Sequence, residues 1–175
     1  MIRIANKNDI DEINELYEEV IGLREKGIAP ILWTRGIYPT REYVERMVNA
    51  GEMYVLVEEG KIAAAAIYNQ VETDAYSQIN WNFNAKSEEI LVMHTLAVHP
   101  AFMRRGLAKR MLAFYEELAE QMGCIELRID TNDRNMPARD MYRKAGYTER
   151  GLVETPFNGL PSVRLICLEK TLEKK

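Results

Sequence analysis

Residues 89–111 read EILVMHTLAVHPAFMRRGLAKRM, and this stretch decides the fold. From Ile90 to Val98 it is apolar nearly throughout, as a strand covered on both faces should be. Pro100 breaks the run, and Arg104, Arg105 and Gly106 lead straight into a helical pattern. Leu107, Met111, Tyr115, Leu118 and Met122 recur at helical spacing and form one apolar stripe. CIELRIDT, starting at Cys124, reads as the next strand. Strand, helix and strand over 90–131 make one βαβ crossover, so these two strands should run parallel.

The flanks follow from the same signals. MIRIA alternates as a short strand, and Asn8 or Asp9 can cap a helix beginning near Ile10. Ile10, Ile13, Leu16, Tyr17, Val20 and Ile21 give that helix its buried face. GIAPILWTRGIYP is a loop, in which Trp33 and Tyr38 either line a pocket or cover the core. Thr40 caps a second helix, REYVERMVNAG, ending at Gly51. MYVLVEEGKIAAAAIYNQV reads as a hairpin turning at EEGK. Its four alanines, 63–66, have helical propensity but too little length for a helix. Residues 72–89 are polar with interspersed aromatics and read as a loop. Asn135 precedes a short helix, PARDMYRKAG, and YTERGLVE and SVRLICLEKTL close the chain as strands. The order β-α-α-β-β-β-α-β-α-β-β predicts an α/β fold: a mixed, mostly antiparallel sheet with helices on its faces, in one domain over 1–175.

Composition narrows the function. The chain has 175 residues, 47% hydrophobic and 29% charged, with a net charge of -4. Bulk attraction to nucleic acid is therefore not expected, and any anion site must be local. No apolar run approaches the ~20 residues that span a bilayer, and MIRIANKND lacks the apolar core of a signal peptide. Cys124 and Cys167 lie in apolar runs, as buried reduced thiols do. The two histidines lack metal-ligand company, so no metal site is expected. These features predict a cytoplasmic protein.

The junction after Val98 suits an anion. A helix N-terminus offers unpaired N–H groups and the positive end of its dipole. Gly106 lets backbone approach without a Cβ, Ala108 keeps the first turn thin, and Arg104, Arg105 and Lys109 add charge. The spacing is neither a Walker loop nor a dinucleotide fingerprint.

The stretch resembles the acetyl-CoA signature of the GNAT superfamily, the GCN5-related N-acetyltransferases. That pattern, Gln/Arg-x-x-Gly-x-Gly/Ala, follows a strand ending in Leu-x-Val-x-Pro. Leu96, Val98, Pro100, Gly106 and Ala108 match it, and Met103 departs from it. A second family block appears as NMPARDMYRKAGY, with Asn135, Ala138, Tyr142, Lys144, Gly146 and Tyr147 in place. The resemblance implies a GNAT fold with a splayed parallel strand pair, and an enzyme moving an acetyl group from acetyl-CoA to a primary amine. It implies that the backbone of Leu96, Ala97 and Val98 pairs with pantetheine. The loop Met103, Arg104, Arg105, Gly106, Leu107, Ala108 and Lys109 would hold the diphosphate. Asn135 would contact the cofactor arm, and Tyr142 would bond the sulfur and protonate the leaving thiolate.

The amine also needs a base. Many relatives carry a carboxylate near position 92, where this chain has Val92. His94 lies two residues on, on the same strand face, and titrates near neutrality. It is either the base or a histidine holding the strand in place. Trp33, Tyr38, Tyr76 and Trp81 suggest a pocket for an apolar or aromatic acceptor, or else they pack. The acceptor is expected to be a small amine, an amino acid or a peptide N-terminus, and the protein a monomer or homodimer. A longer acyl-CoA donor, and a non-catalytic CoA-binding module of the same fold, are the alternative readings.

Overall fold

The computed structural model describes residues 1–173. Its elements are β1 (Ile2–Ile4), α1 (Ile10–Glu25), α2 (Arg41–Asn49), β2 (Met53–Glu58), β3 (Lys61–Asn69), β4 (Ile90–Val98), α3 (Leu107–Met122), β5 (Glu126–Asn132), α4 (Met136–Lys144), β6 (Thr148–Phe157) and β7 (Leu160–Thr171). The order is the one read from the sequence, with short 3-10 turns added between elements. Hydrogen-bonded neighbours run β1-β2-β3-β4-β5-β7-β6, a seven-stranded sheet. Among the strand registers described, β4 with β5 is the parallel pair and the others are antiparallel. No helix among the described residues is long and apolar enough to cross a membrane.

The chain forms two compact units. The first comprises residues 1–68 and 94–114. Its core joins Ile13, Leu16, Tyr17 and Val20 of α1 to Val44 and Val48 of α2 and to Met53, Val55, Ile62, Ala65 and Ile67 of the hairpin. Ala63–Ala66 form strand, each 0% exposed, because small side chains let both sheet faces be covered closely. The hairpin turns at Glu59 and Gly60, both at positive φ (54° and 74°), the backbone that a tight type I′ turn demands.

The start of α1 differs from the expectation. Asn6, not Asn8 or Asp9, is the capping residue, accepting from the Asn8 N–H at the leading 3-10 turn. Asp9 turns back instead, accepting from the Asn6 N–H at 2.7 Å and from both Arg3 terminal nitrogens at 2.7 and 2.8 Å. The Arg3 hydrogen bonds, opposed in part by burial, hold the Asp9 carboxyl below its usual range. Thr40 caps α2 as expected, accepting from Tyr43 N–H.

The second unit comprises residues 69–93 and 115–173. β5 pairs with β7 from Glu126↔Thr171 to Asn132↔Leu165, and β6 pairs with β7 through two register shifts. The parallel register of β4 and β5 covers four positions, Ile90↔Glu126 to Met93↔Ile129. β4 then runs on to Val98 and β5 to Asn132. Tyr115 of α3 donates to Leu91 O at 2.5 Å and to Arg128 O at 3.2 Å, so the helix grips this strand pair. The expected α3 stripe holds at Leu107, Met111 and Tyr115, but Met122 is 48% exposed and Leu118 half-buried, while Leu112 and Ala119 are buried. The buried row runs Leu107, Met111, Tyr115 and Ala119 in steps of four, with Leu112 beside it, where the expected stripe stepped by three to Leu118. Cys124 and Cys167 are free and buried.

Candidate functional site

In the first unit, β4 ends in a 3-10 turn, Pro100–Phe102. Buried Phe102 anchors it, and His99 Nδ1 accepts from Ala101 N–H at 3.1 Å. Arg104 (φ 63°) and Gly106 (φ 76°) then take left-handed conformations immediately before α3. Such alternation turns successive N–H groups toward one concave side, and the α3 dipole adds to it. A Cβ built on Gly106 meets nothing within 4 Å, so the space over this backbone is open. Met103, where the family pattern has Gln or Arg, is 41% exposed. The cations are divided. Arg105 pairs with Glu59 at 2.6 Å and lies over the Phe102 ring, and Arg110 pairs with Glu58 at 2.8 Å. Arg104 and Lys109 are both exposed beside the turn. These residues fit a diphosphate: backbone donors, an open approach at Gly106 and two further cations.

Upstream, Thr95 sits at φ 51°, inside a strand. A β-branched residue is costly there and persists only if the surroundings over-determine it. Tyr17 does so: its buried hydroxyl lies 3.0 Å from Thr95 O and 3.1 Å from Thr95 Oγ1. Burial keeps the Tyr17 phenol far above its ordinary range, so it stays a donor. The left-handed backbone at Thr95 breaks the alternation read from sequence. Val92 is buried and His94 half-buried before it; after it Leu96 and Val98 are half-buried and Ala97 enters the core. His94 and Leu96 therefore do not follow simple period-two spacing.

In the second unit, Asn135 caps α4, accepting from Ala138 N–H at 3.3 Å and donating to Thr131 Oγ1 at 3.2 Å. Tyr142, on the same helix, is 5% exposed. Burial, and then the charge of Asp130, push its phenol above the ordinary range. Asp130 itself was not singled out by the sequence reading. It lies near the end of β5, partly exposed, and its Oδ2 accepts from the Tyr76 hydroxyl at 2.8 Å. Burial raises its pKa to about 6, and the Tyr76 hydrogen bond works against that rise. A signal was present: Glu126, Arg128 and Asp130 alternate in an otherwise apolar strand, and the first two are 0% and 5% exposed. Charges on the covered face of a strand are kept only where partners hold them.

The four aromatics have specific partners. Trp33 packs edge-on against Tyr17 at 5.6 Å, and buried Tyr38 packs on Tyr43 at 5.1 Å. Tyr76 is 2% exposed and edge-on to half-buried Trp81 at 5.2 Å. No group of three or more metal-ligating side chains exists among the described residues.

With this geometry in hand, the comparisons are informative. The model of the acetyltransferase (GNAT) family matches residues 13–147. Streptothricin acetyltransferase of Escherichia coli is 29% identical over 83 residues, covering 47% of this chain and 44% of that protein. The chain thus spans less than half the length of this curated relative. The crystal structure of a GNAT-family acetyltransferase from Streptococcus agalactiae superposes with a TM-score of 0.81 at 26% identity, over 99% of this chain and 96% of that one. The structure of yncA from Salmonella typhimurium, solved with its cofactor acetyl-CoA, has a TM-score of 0.72 at 17% identity, over 100% and 95% of the two chains. The last is a likeness of fold.

Proposed function

The chain belongs to the acetyltransferase (GNAT) family, and on that premise we propose that it transfers an acetyl group from acetyl-CoA to a primary amine by direct attack. One observation carries the reading: the left-handed pair Arg104 and Gly106 opening onto the N-terminus of α3. In this reading the 103–109 backbone, with Arg104 and Lys109, takes the diphosphate. The strand edge at Leu96–Val98 takes the pantetheine amides, and the family likeness assigns Asn135 to the cofactor arm.

The reaction forms a C–N bond, breaks the thioester C–S bond and moves one proton from nitrogen toward sulfur. Binding both reactants together removes much of the entropic barrier, so no covalent enzyme intermediate is needed. A backbone N–H near Val98 serves as donor to the developing oxyanion. Tyr142 has a phenol pushed above its usual value and so holds its proton more tightly than a thiol does. Its role is then to steady the leaving thiolate by a hydrogen bond, and to pass on a proton only when one is returned to it. For the base we weigh Asp130 against His94. We take Asp130, because a partly exposed carboxylate titrating at about 6 is still ionised at neutral pH and basic enough to accept a proton.

The acceptor in this reading is a small amine, an amino acid or a peptide N-terminus, and the likeness to a streptothricin acetyltransferase supports a small-molecule acceptor. The test is calorimetry with acetyl-CoA, followed by a thiol-release assay over a panel of these amines. Binding heat and amine-dependent thiol release are expected, with Tyr142→Phe slowing release about 10²-fold at unchanged acetyl-CoA affinity. Heat without thiol release would leave a binding module, and neither signal would sink the reading.

A further inference from the structure

Residues 70–84 cross the β5–β7 face of the second unit, and polar contacts fasten them there. Asn82 N–H donates to both carboxylate oxygens of Glu169, at 3.0 and 3.2 Å. Arg150 donates to Asn80 O at 3.0 Å. Arg128, 5% exposed on β5, points into this segment. Its guanidinium pairs with Glu72, donates to Phe83 O at 3.3 Å and lies 4.2 Å from the centre of the Trp81 ring. Trp81 in turn donates its indole N–H to Tyr76 O at 3.1 Å and packs edge-on against the Tyr76 ring. The Tyr76 hydroxyl then donates to Asp130 at 2.8 Å. Every link has a named donor and acceptor or a defined ring geometry.

We infer that Tyr76, held by Trp81 and Arg128, is a positioning residue that fixes the orientation and proton affinity of the Asp130 carboxylate. This rests on the reading of Asp130 as the proton acceptor. A Tyr that only filled space would be indifferent to its hydroxyl. Here the hydroxyl is the group that opposes the effect of burial on Asp130. Arg128 stands two residues away on the same strand face, at a rise of about 6.6 Å. Its charge is turned to Glu72 and Trp81, so it leaves the tuning to Tyr76. The titratable groups facing Asp130 are Tyr76 from the strap, Tyr142 from α4 and Cys167 from β7. All three are pushed up by burial, so none competes as an anion near neutrality. The Oδ2 bond to Tyr76 leaves Oδ1 as the oxygen for an incoming amine proton.

The experiment is a carbon-13 NMR titration of aspartate carboxyls in the full chain, with Asp130 assigned by its loss in Asp130→Asn. Wild type should titrate at about 6. Tyr76→Phe keeps the ring and removes the donor, so the midpoint should rise by about 1 pH unit, the worth of one hydrogen bond to a charged group. Trp81→Phe, which removes the indole N–H and shrinks the ring beside Arg128 and Tyr76, should move it the same way by less. The acid limb of kcat/KM should travel with the midpoint in both variants. An unmoved midpoint in Tyr76→Phe overturns the inference, and if that variant does not fold, an unmoved midpoint in Trp81→Phe does so. A midpoint that moves while the kinetic limb stays still would keep Tyr76 as the positioning residue and remove Asp130 as the base.

Discussion

The strand-to-helix junction at 99–109 and the covered β5 face at 126–130 are built on opposite principles. The junction works through backbone. Its conformation depends on Arg104 and Gly106 at positive φ, and its side-chain ion pairs are at the surface: Arg105 and Glu59 are 48% and 66% exposed. Such pairs contribute at most about 1 kcal/mol each. The β5 face works through buried side chains. Glu126 is 0% exposed beside Glu169, and Arg128 and Asp130 each depend on partners from distant segments. Removing one member there strands a buried charge, a loss of several kcal/mol in general. The difference teaches that a ligand loop can tolerate side-chain change where a buried polar network cannot, unless the change removes the charge itself.

Asp130→Asn should break the comparison most visibly. Loss of the base should lower kcat/KM by about 10²–10⁴-fold and abolish its acid limb. The same change should raise Tm. Because the folded pKa lies above the ordinary value, folding binds a proton more tightly, and stability falls as pH rises from about 4 through about 6. Above that window the charged form carries the whole burial cost, which Asn does not. His94→Gln should leave the limb in place. A limb lost in His94→Gln and kept in Asp130→Asn would transfer the base role to His94.

Gly106→Val probes the other region. A β-branched residue at φ 76° costs about 1–3 kcal/mol, and its methyl groups enter open space that the diphosphate would use. Acetyl-CoA should bind about 10–100-fold more weakly by calorimetry, with the fold retained. Unchanged affinity in the folded variant would remove the loop from the site.

The smallest effect should come from Glu126→Gln, which sharpens the contrast through stability alone. Burial, then the neighbouring Glu169, raise the Glu126 carboxyl well above its usual range, against the hydrogen bond from Thr171 and the charge of Arg128. Glu169 is held by Arg150 at 3.0 Å and by Asn82 N–H, so Glu126 keeps the proton. Wild-type Tm should therefore fall as pH rises from about 4.5 through about 8, the range in which the unfolded chain has released the proton that folded Glu126 retains. Glu126→Gln, isosteric with the protonated acid, should flatten that fall while leaving Tm near pH 4.5 within a few degrees. A wild-type Tm that holds between pH 6 and 9 would show that the pair does not share a proton in this way.

The element order, the βαβ crossover, the Thr40 and Asn135 caps and the loop around Gly106 were all legible in the sequence. Each is specified within a few residues: by hydrophobic period, by a side chain reaching the next turn, or by a glycine where backbone must turn left-handed. The family follows from the same local marks, because its motifs lie in short stretches whose spacing the sequence shows directly. Three things were decided by tertiary structure alone. Thr95 is held in a left-handed conformation by Tyr17, 78 positions away, which undoes the simple alternation around His94. The α1 start is settled by Arg3, which draws Asp9 away from the helix. Asp130 gains its character from Tyr76, 54 positions distant, and from burial among Tyr142 and Cys167. A proton affinity depends on what surrounds a carboxyl in space, and that is written into the chain only through the folding that gathers those segments.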